Sequence, residues 1–147
     1  MSNEKNLWRL LKNNLPKDCI FSRIESRTTK GVPDVHFLWE KCSFWIELKT
    51  TKHNAVNLSP FQISWNTTYW KNGGHCFILV KRSKDNGLFL FEGGQASNLR
   101  EFGVSGTSGF RVSGFRTSDF RELWNYIHKQ IKNPTIKRKE KNKMVGQ

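Results

Sequence analysis

The chain has 147 residues, with 25 Lys and Arg against 12 Asp and Glu, a formal net charge of +13. That length fits one domain with its own hydrophobic core. No apolar run reaches the ~20 residues that span a bilayer, and the first dozen residues lack the apolar stretch of a signal peptide. These features lead us to expect an intracellular protein, neither membrane-spanning nor secreted. The cationic excess predicts a polyanionic partner, because basic side chains displace the counterions condensed on phosphates.

Glu4 to Leu15 reads as a first helix, with Leu7, Leu10, Leu11 and Leu15 at helical spacing and Pro16 to stop it. Cys19 to Glu25 alternates as a strand, and Thr28 to Gly31 is a turn. Val35 to Trp39 and Phe44 to Leu48 are apolar runs split by Glu40 to Ser43, which predicts a hairpin. Lys52 to Leu58 is a loop. Ser59-Pro60-Phe61-Gln62 is a strong helix start, with Ser as N-cap, Pro in the first turn and Gln at the capping-box position. That helix is expected to reach Lys71 and end at Gly73-Gly74. Cys76 to Val80 and Leu88 to Phe91 read as strands joined through the Asp85-Asn86-Gly87 turn.

Residues 92–118 change character and form a variable, Gly- and Ser-rich segment, in which Ser-Gly-Phe-Arg is written twice, at 108–111 and 113–116. Phe120 to Ile131 predicts a last helix. Residues 136–147 form a basic tail with little to bury, expected to lack fixed structure without a partner. The order predicts an α/β fold, a mixed central sheet flanked by helices, in a single domain over residues 1–135.

Three cysteines, Cys19, Cys42 and Cys76, form no C-x-x-C pair and read as buried free thiols. The four histidines are far apart and predict no zinc site.

The chemistry lies in Gly31-Val32-Pro33-Asp34 and Trp45-Ile46-Glu47-Leu48-Lys49. A hairpin between the two brings the carboxylates of Asp34 and Glu47 together. Glu47 and Lys49 are two residues apart, so both project from one face, while Ile46 and Leu48 anchor the other. Two carboxylates plus the Leu48 carbonyl are hard oxygen donors suited to Mg²⁺. Lys49 supplies a movable positive charge beside them. An E-x-K alone is a common surface pair; its conjunction with a Gly-x-Pro-Asp turn one hairpin earlier is far more specific.

In these residues the chain resembles the PD-(D/E)xK nuclease superfamily, whose signature stands here as Pro33-Asp34 and Glu47-Leu48-Lys49. More narrowly it resembles the virus-type replication-repair nuclease (VRR-NUC) branch, which pairs G-x-P-D and E-x-K with an S-x-x-Q helix start, here Ser59 to Gln62. The resemblance covers roughly Glu4 to Phe91. It implies a restriction-endonuclease-like core, with Asp34, Glu47, Lys49 and Gln62 catalytic, and Asp34, Glu47 and the Leu48 carbonyl as ligands of Mg²⁺, with Mn²⁺ able to substitute. It also implies a third acidic ligand, for which Glu4 and Glu25 are both candidates.

The activity so implied is a metal-dependent DNA endonuclease selective for branched DNA, in the manner of a Holliday junction resolvase. Symmetric cutting needs two centres, so a homodimer is expected, with DNA as partner and no membrane. A viral gene acting in the cytoplasm of a bacterial host fits the resemblance. The alternatives are a flap or single-strand nuclease, a nickase, or a non-catalytic nucleic-acid-binding module on the same fold. Candidate DNA contacts are Arg23, Arg27, Lys30, Lys52, His53, Arg111 and Arg116, with Lys137, Arg138 and Lys139 in the tail.

Overall fold

The computed structural model describes residues 3–25 and 29–132. Arg27 and the basic tail, with Lys137, Arg138 and Lys139, lie outside the described residues. The elements are α1 (Asn3–Asn13), β1 (Ile20–Arg23), β2 (Val35–Trp39), β3 (Cys42–Thr51), α2 (Pro60–Lys71), β4 (Cys76–Arg82), β5 (Gly87–Glu92), α3 (Ala96–Phe102), β6 (Phe115–Thr117) and α4 (Phe120–Lys132). The six strands form one sheet in chain order. Neighbours are antiparallel except β3 and β4, which run parallel. A parallel pair needs a crossover, and α2 supplies it. The result is the mixed sheet flanked by helices that the sequence predicts.

Alternation along each strand divides the core in two. Val35, Phe37, Phe44, Ile46, Leu48, Phe77 and Leu79 face Leu7 and Leu11 of α1 and Leu123, Trp124, Ile127 and Ile131 of α4. Ile78, Val80, Phe89 and Phe91 point the other way, onto Val56, Leu58, Ala96, Leu99 and Val104. Each fully buried aliphatic side chain contributes about 2 kcal/mol against exposure. Among the described residues no helix is long and apolar enough to cross a membrane.

Several boundaries differ from expectation. β1 stops at Arg23, so Glu25 is an exposed residue beyond the strand. The β2–β3 turn is tighter than expected: Glu40 and Lys41 both have positive φ, 54° and 64°, as in a two-residue type I′ hairpin. β3 runs on to Thr51 because β4 pairs with it from Trp45 to Thr51. Within the Gly- and Ser-rich segment lie two elements the periodicity does not reveal. α3 is seven residues long and buries only Ala96 and Leu99. β6 is three residues whose pairing partner, Leu88 to Leu90, lies far off in sequence.

The two Ser-Gly-Phe-Arg copies have different conformations. Phe115 of the second stacks on Tyr126, centroids 4.3 Å apart. Phe110 of the first is 94% exposed and takes a left-handed φ of 60°.

The start of α2 is capped as predicted. Gln62 N–H donates to Ser59 Oγ at 3.1 Å, and Ser59 N–H donates to Gln62 Oε1 at 3.0 Å. Ser59→Ala is expected to lower stability by about 1 kcal/mol, seen as a fall of a few degrees in the thermal midpoint. A variant melting with the wild type would show that the box carries no energy here.

The cysteines are free, Cys76 buried and Cys19 and Cys42 half-buried. Burial pushes the Cys19 thiol up to about 11, so it is not a reactive thiolate at neutral pH.

Candidate active site

Three segments meet on the sheet face covered by α2. Glu47 and Lys49 of β3 pair with Ile78 and Val80 of β4, whose side chains share their face. Asp34 immediately precedes β2. Its carbonyl accepts from Ile24 N–H at 2.8 Å, and its Oδ2 accepts from Leu48 N–H at 2.8 Å. The carboxylate is thereby latched onto β3 between Glu47 and Lys49. In a strand, the N–H and C=O of one residue leave by the same edge. The Leu48 carbonyl therefore faces the edge where Asp34 stands.

The turn carrying Asp34 is set by a close approach. Gly31 has φ of +88°, and a Cβ there would sit 2.3 Å from the Phe61 carbonyl oxygen and 3.1 Å from the Gln62 nitrogen. Only glycine lets the loop lie flat on the first turn of α2. The Gly-x-Pro-Asp turn and the Ser-x-x-Gln helix start are thus one packed unit.

Glu47 is 2% exposed. Burial, then the adjoining Asp34 carboxyl, holds its carboxyl well above the ordinary range; Lys49 acts in the opposite sense, and Glu4 adds to the rise. Glu47 and Asp34 lie within hydrogen-bonding reach of each other. Two carboxylates have no donor between them, so this contact requires a shared proton or a cation. Glu47 Oε1 is shut off from solvent without a hydrogen-bond partner.

A buried acceptor without a donor costs free energy unless something positive meets it. Asp34, Glu47 and the Leu48 carbonyl are oxygen donors of the kind a divalent cation takes, and the orphaned Oε1 fits that use. Among the described residues no group of three or more His, Cys, Asp or Glu side chains forms a cation cage. Two carboxylates, a carbonyl and water remain the donor set, which suits Mg²⁺ because it keeps several waters. Of the two candidates for a third acid, Glu4 is close enough to act electrostatically on Glu47, and Glu25 is not among the groups that do.

Gln62 lies beside the Gly31 turn, and its side-chain oxygen accepts from Ser59 N–H. Only its NH₂ group is left uncommitted by the cap. The basic candidates spread widely. Arg23 lies over the Trp8 ring at 5.5 Å and Lys30 over Phe61 at 4.9 Å. Lys52 and His53 are exposed on the loop that continues β3. Arg111 lies over Phe102 at 5.2 Å. Arg116 is paired with Asp85 at 2.7 Å on β6, three strands or about 14 Å from β3. The Leu48 N–H contact and the Gly31–Phe61 approach were not foreseen. The first has no sequence signal, whereas the second had one in the glycine of the turn.

No protein-family model matches the sequence, and no curated protein matches it. Among solved structures the chain is similar to Archaeoglobus fulgidus Hjc, a Holliday junction resolvase from an archaeal hyperthermophile. The identity is 17% and the TM-score 0.47, over 63% of this chain and 75% of that one.

Proposed function

We propose that this chain is a metal-dependent DNA endonuclease that cuts branched DNA as a homodimer. The observation that carries the reading is the buried Glu47 carboxyl, pressed against Asp34 with one oxygen lacking a donor, two residues from Lys49. A structural ion pair would not press a buried carboxyl against a second carboxyl.

Asp34, Glu47 and the Leu48 carbonyl would hold the cation, Mg²⁺ with Mn²⁺ able to substitute. When bound, it supplies Lewis acidity that lowers the pKa of a water and offsets charge on the scissile phosphate. The chain's own residues do the rest. Leu48 N–H holds one Asp34 oxygen and so orients the other. Lys49, on the Glu47 face, steadies the attacking water or the negative charge gathering on the phosphate. Exposed Lys30, Lys52 and His53 contact the DNA backbone, whereas Arg23, over Trp8 of α1, lies on the opposite face of the sheet. The VRR-NUC branch is supported by Gly31-x-Pro33-Asp34, Glu47-x-Lys49 and Ser59-x-x-Gln62, and the preference for branched DNA rests on that resemblance. The homodimer follows from one centre per chain and two matched nicks per junction.

The test is cleavage of four-way junction, flap, bubble, single-stranded and duplex DNAs, with and without Mg²⁺. Magnesium-dependent paired cuts on the junction are expected. Cuts confined to flaps would replace the resolvase reading with the flap-nuclease one, and no cleavage of any substrate would sink both.

A further inference from the structure

Phe110 is the most exposed large apolar side chain among the described residues, at 94%. A lone apolar residue at a surface needs no explanation by itself. This one sits on a turn fixed from both sides. Phe110 N–H donates to the Thr107 carbonyl at 3.4 Å, and the N–H groups of Arg111 and Val112 donate to the Gly106 carbonyl at 2.9 and 3.3 Å. Val112 is buried in the cluster of Ile78 and Val80, which share the sheet face of Glu47 and Lys49. Phe110 itself takes a left-handed φ of 60°, unfavourable to any residue with a Cβ. The turn therefore holds a ring in solvent at a cost to its own backbone, and the fold gains nothing from it.

The turn is also tied to the chain that leaves the active site. Asn54 lies on the loop that continues β3 beyond Lys49, and residues 102–105 grip it. Its carbonyl accepts from Val104 N–H at 3.1 Å, its Oδ1 accepts from Ser105 N–H at 2.7 Å, and its Nδ2 donates to the Phe102 carbonyl at 3.4 Å. Lys49 and Asn54 are at most ~18 Å apart along the chain, about five nucleotide steps of ~3.4 Å. Arg111, next to Phe110, lays its guanidinium over the Phe102 ring at 5.2 Å, which keeps a positive charge at the base of the turn.

We propose that Phe110 is a stacking post for an unpaired nucleobase, with Arg111 on the adjoining phosphate, and that it engages DNA whose strand lies at Asp34, Glu47 and Lys49. The inference rests on the DNA-directed reading above and gives selectivity for interrupted duplex a residue. A bare aromatic ring meets a flat π-face best, and every base has one. Inside a duplex those faces are covered by the neighbouring bases. A protruding ring reaches one only where stacking is broken, at a bulge, a fork, a junction centre or a single strand. The charge beside the ring selects the partner. In an apolar protein interface the Arg111 guanidinium would be desolvated without a counter-charge, whereas every nucleotide carries a phosphate next to its base. The net charge of +13 favours the same partner. A ring on a fixed turn also loses little freedom when a base stacks on it. The placement sets a scale: the scissile phosphate should lie within about one turn of duplex, ~34 Å, of the unpaired base.

Binding of the full chain in EDTA tests the turn without catalysis. The probes are a duplex with a one-base bulge of 2-aminopurine, whose fluorescence reports stacking, and the same duplex without the bulge. The wild type is expected to bind the bulged DNA more tightly and to change its fluorescence. Phe110→Ala keeps a Cβ on the left-handed backbone and removes only a ring in solvent, so its melting temperature should match the wild type. It should lose the fluorescence change and bind the bulged DNA ~10-fold more weakly, with a much smaller loss on the paired duplex. Phe110→Trp should restore both signals. A wild type that binds the two DNAs alike, a Phe110→Ala protein that keeps the fluorescence change, an equal loss on both DNAs, or no recovery with Trp would each overturn the proposal. A wild type that stacks the base yet cuts no DNA in Mg²⁺ would sink the nuclease reading and leave the stacking contact standing. A Phe110→Ala protein that keeps the wild type's preference for bulged DNA and its cleavage would overturn this inference alone.

Discussion

Glu47→Gln is expected to abolish magnesium-dependent nicking of supercoiled DNA, by three orders of magnitude or more in turnover, about 4 kcal/mol of barrier. DNA binding should stay within about twofold, since affinity comes from basic residues at the surface. The same substitution carries a second signature in the metal-free protein. Folding raises the Glu47 carboxyl above its ordinary value of 4.5. The unfolded chain therefore releases this proton first as pH rises. Its contribution to stability is complete below the unfolded pKa and is lost as pH climbs from there through the neutral range. Metal-free wild type should thus lose stability with rising pH more steeply than Glu47→Gln, whose amide does not titrate. Mg²⁺ should raise the melting temperature of the wild type and leave that of the variant unchanged. A variant that retains turnover, or that shares the wild type's pH slope, would remove Glu47 from the centre.

Gly31→Ala is expected to cost about 2–4 kcal/mol of stability and most of the activity. Two causes add. At φ +88° a Cβ is strained whatever the space around it. Here the Cβ would also lie 2.3 Å from the Phe61 carbonyl oxygen and 2.6 Å from its carbon, both backbone atoms that cannot swing aside. Relief requires the turn to lift off α2, which moves Asp34 from Leu48 N–H. Gly73→Ala is the internal control. Its φ is +91° with nothing within 4 Å, so it should cost only the left-handed penalty, about 1 kcal/mol, and leave activity intact. Urea melts beside turnover separate the two. Equal effects from both substitutions would mean that the contact with Phe61 is of no consequence.

The pairing of Asp34 with Glu47 and Lys49 was legible because two simple periods govern it. A strand repeats every two residues, which puts Glu47 and Lys49 on one face, and a hairpin returns the chain to where it started. The α2 cap was legible because Ser59, Pro60 and Gln62 act on neighbours three residues away. Other features depend on partners no local pattern contains. Arg116 reads as a free cation until Asp85, 31 residues earlier, is placed beside it. β6 is three residues long and exists because β5 offers its edge. The grip of Leu48 N–H on Asp34 uses a group that every residue but proline has. The buried state of Glu47 was also beyond the sequence, since it depends on α2 roofing β3.

The two Ser-Gly-Phe-Arg copies carry a consequence for how this chain can change over generations. Phe115 is stacked on Tyr126 of α4 and sits in the strand that closes the sheet, so most replacements there loosen the packing at one edge of the domain. Phe110 supports nothing: its ring is in solvent, and its left-handed backbone would suit glycine or asparagine better than phenylalanine. Identical tetrapeptides five residues apart thus face opposite selection, one constrained by folding and the other almost free of it. Phe110 is the position of the first copy where new surface chemistry can be tried at little cost to the fold, since Arg111 beside it still lies over the Phe102 ring. A library randomised at 108–111 should yield folded protein far more often than one randomised at 113–116.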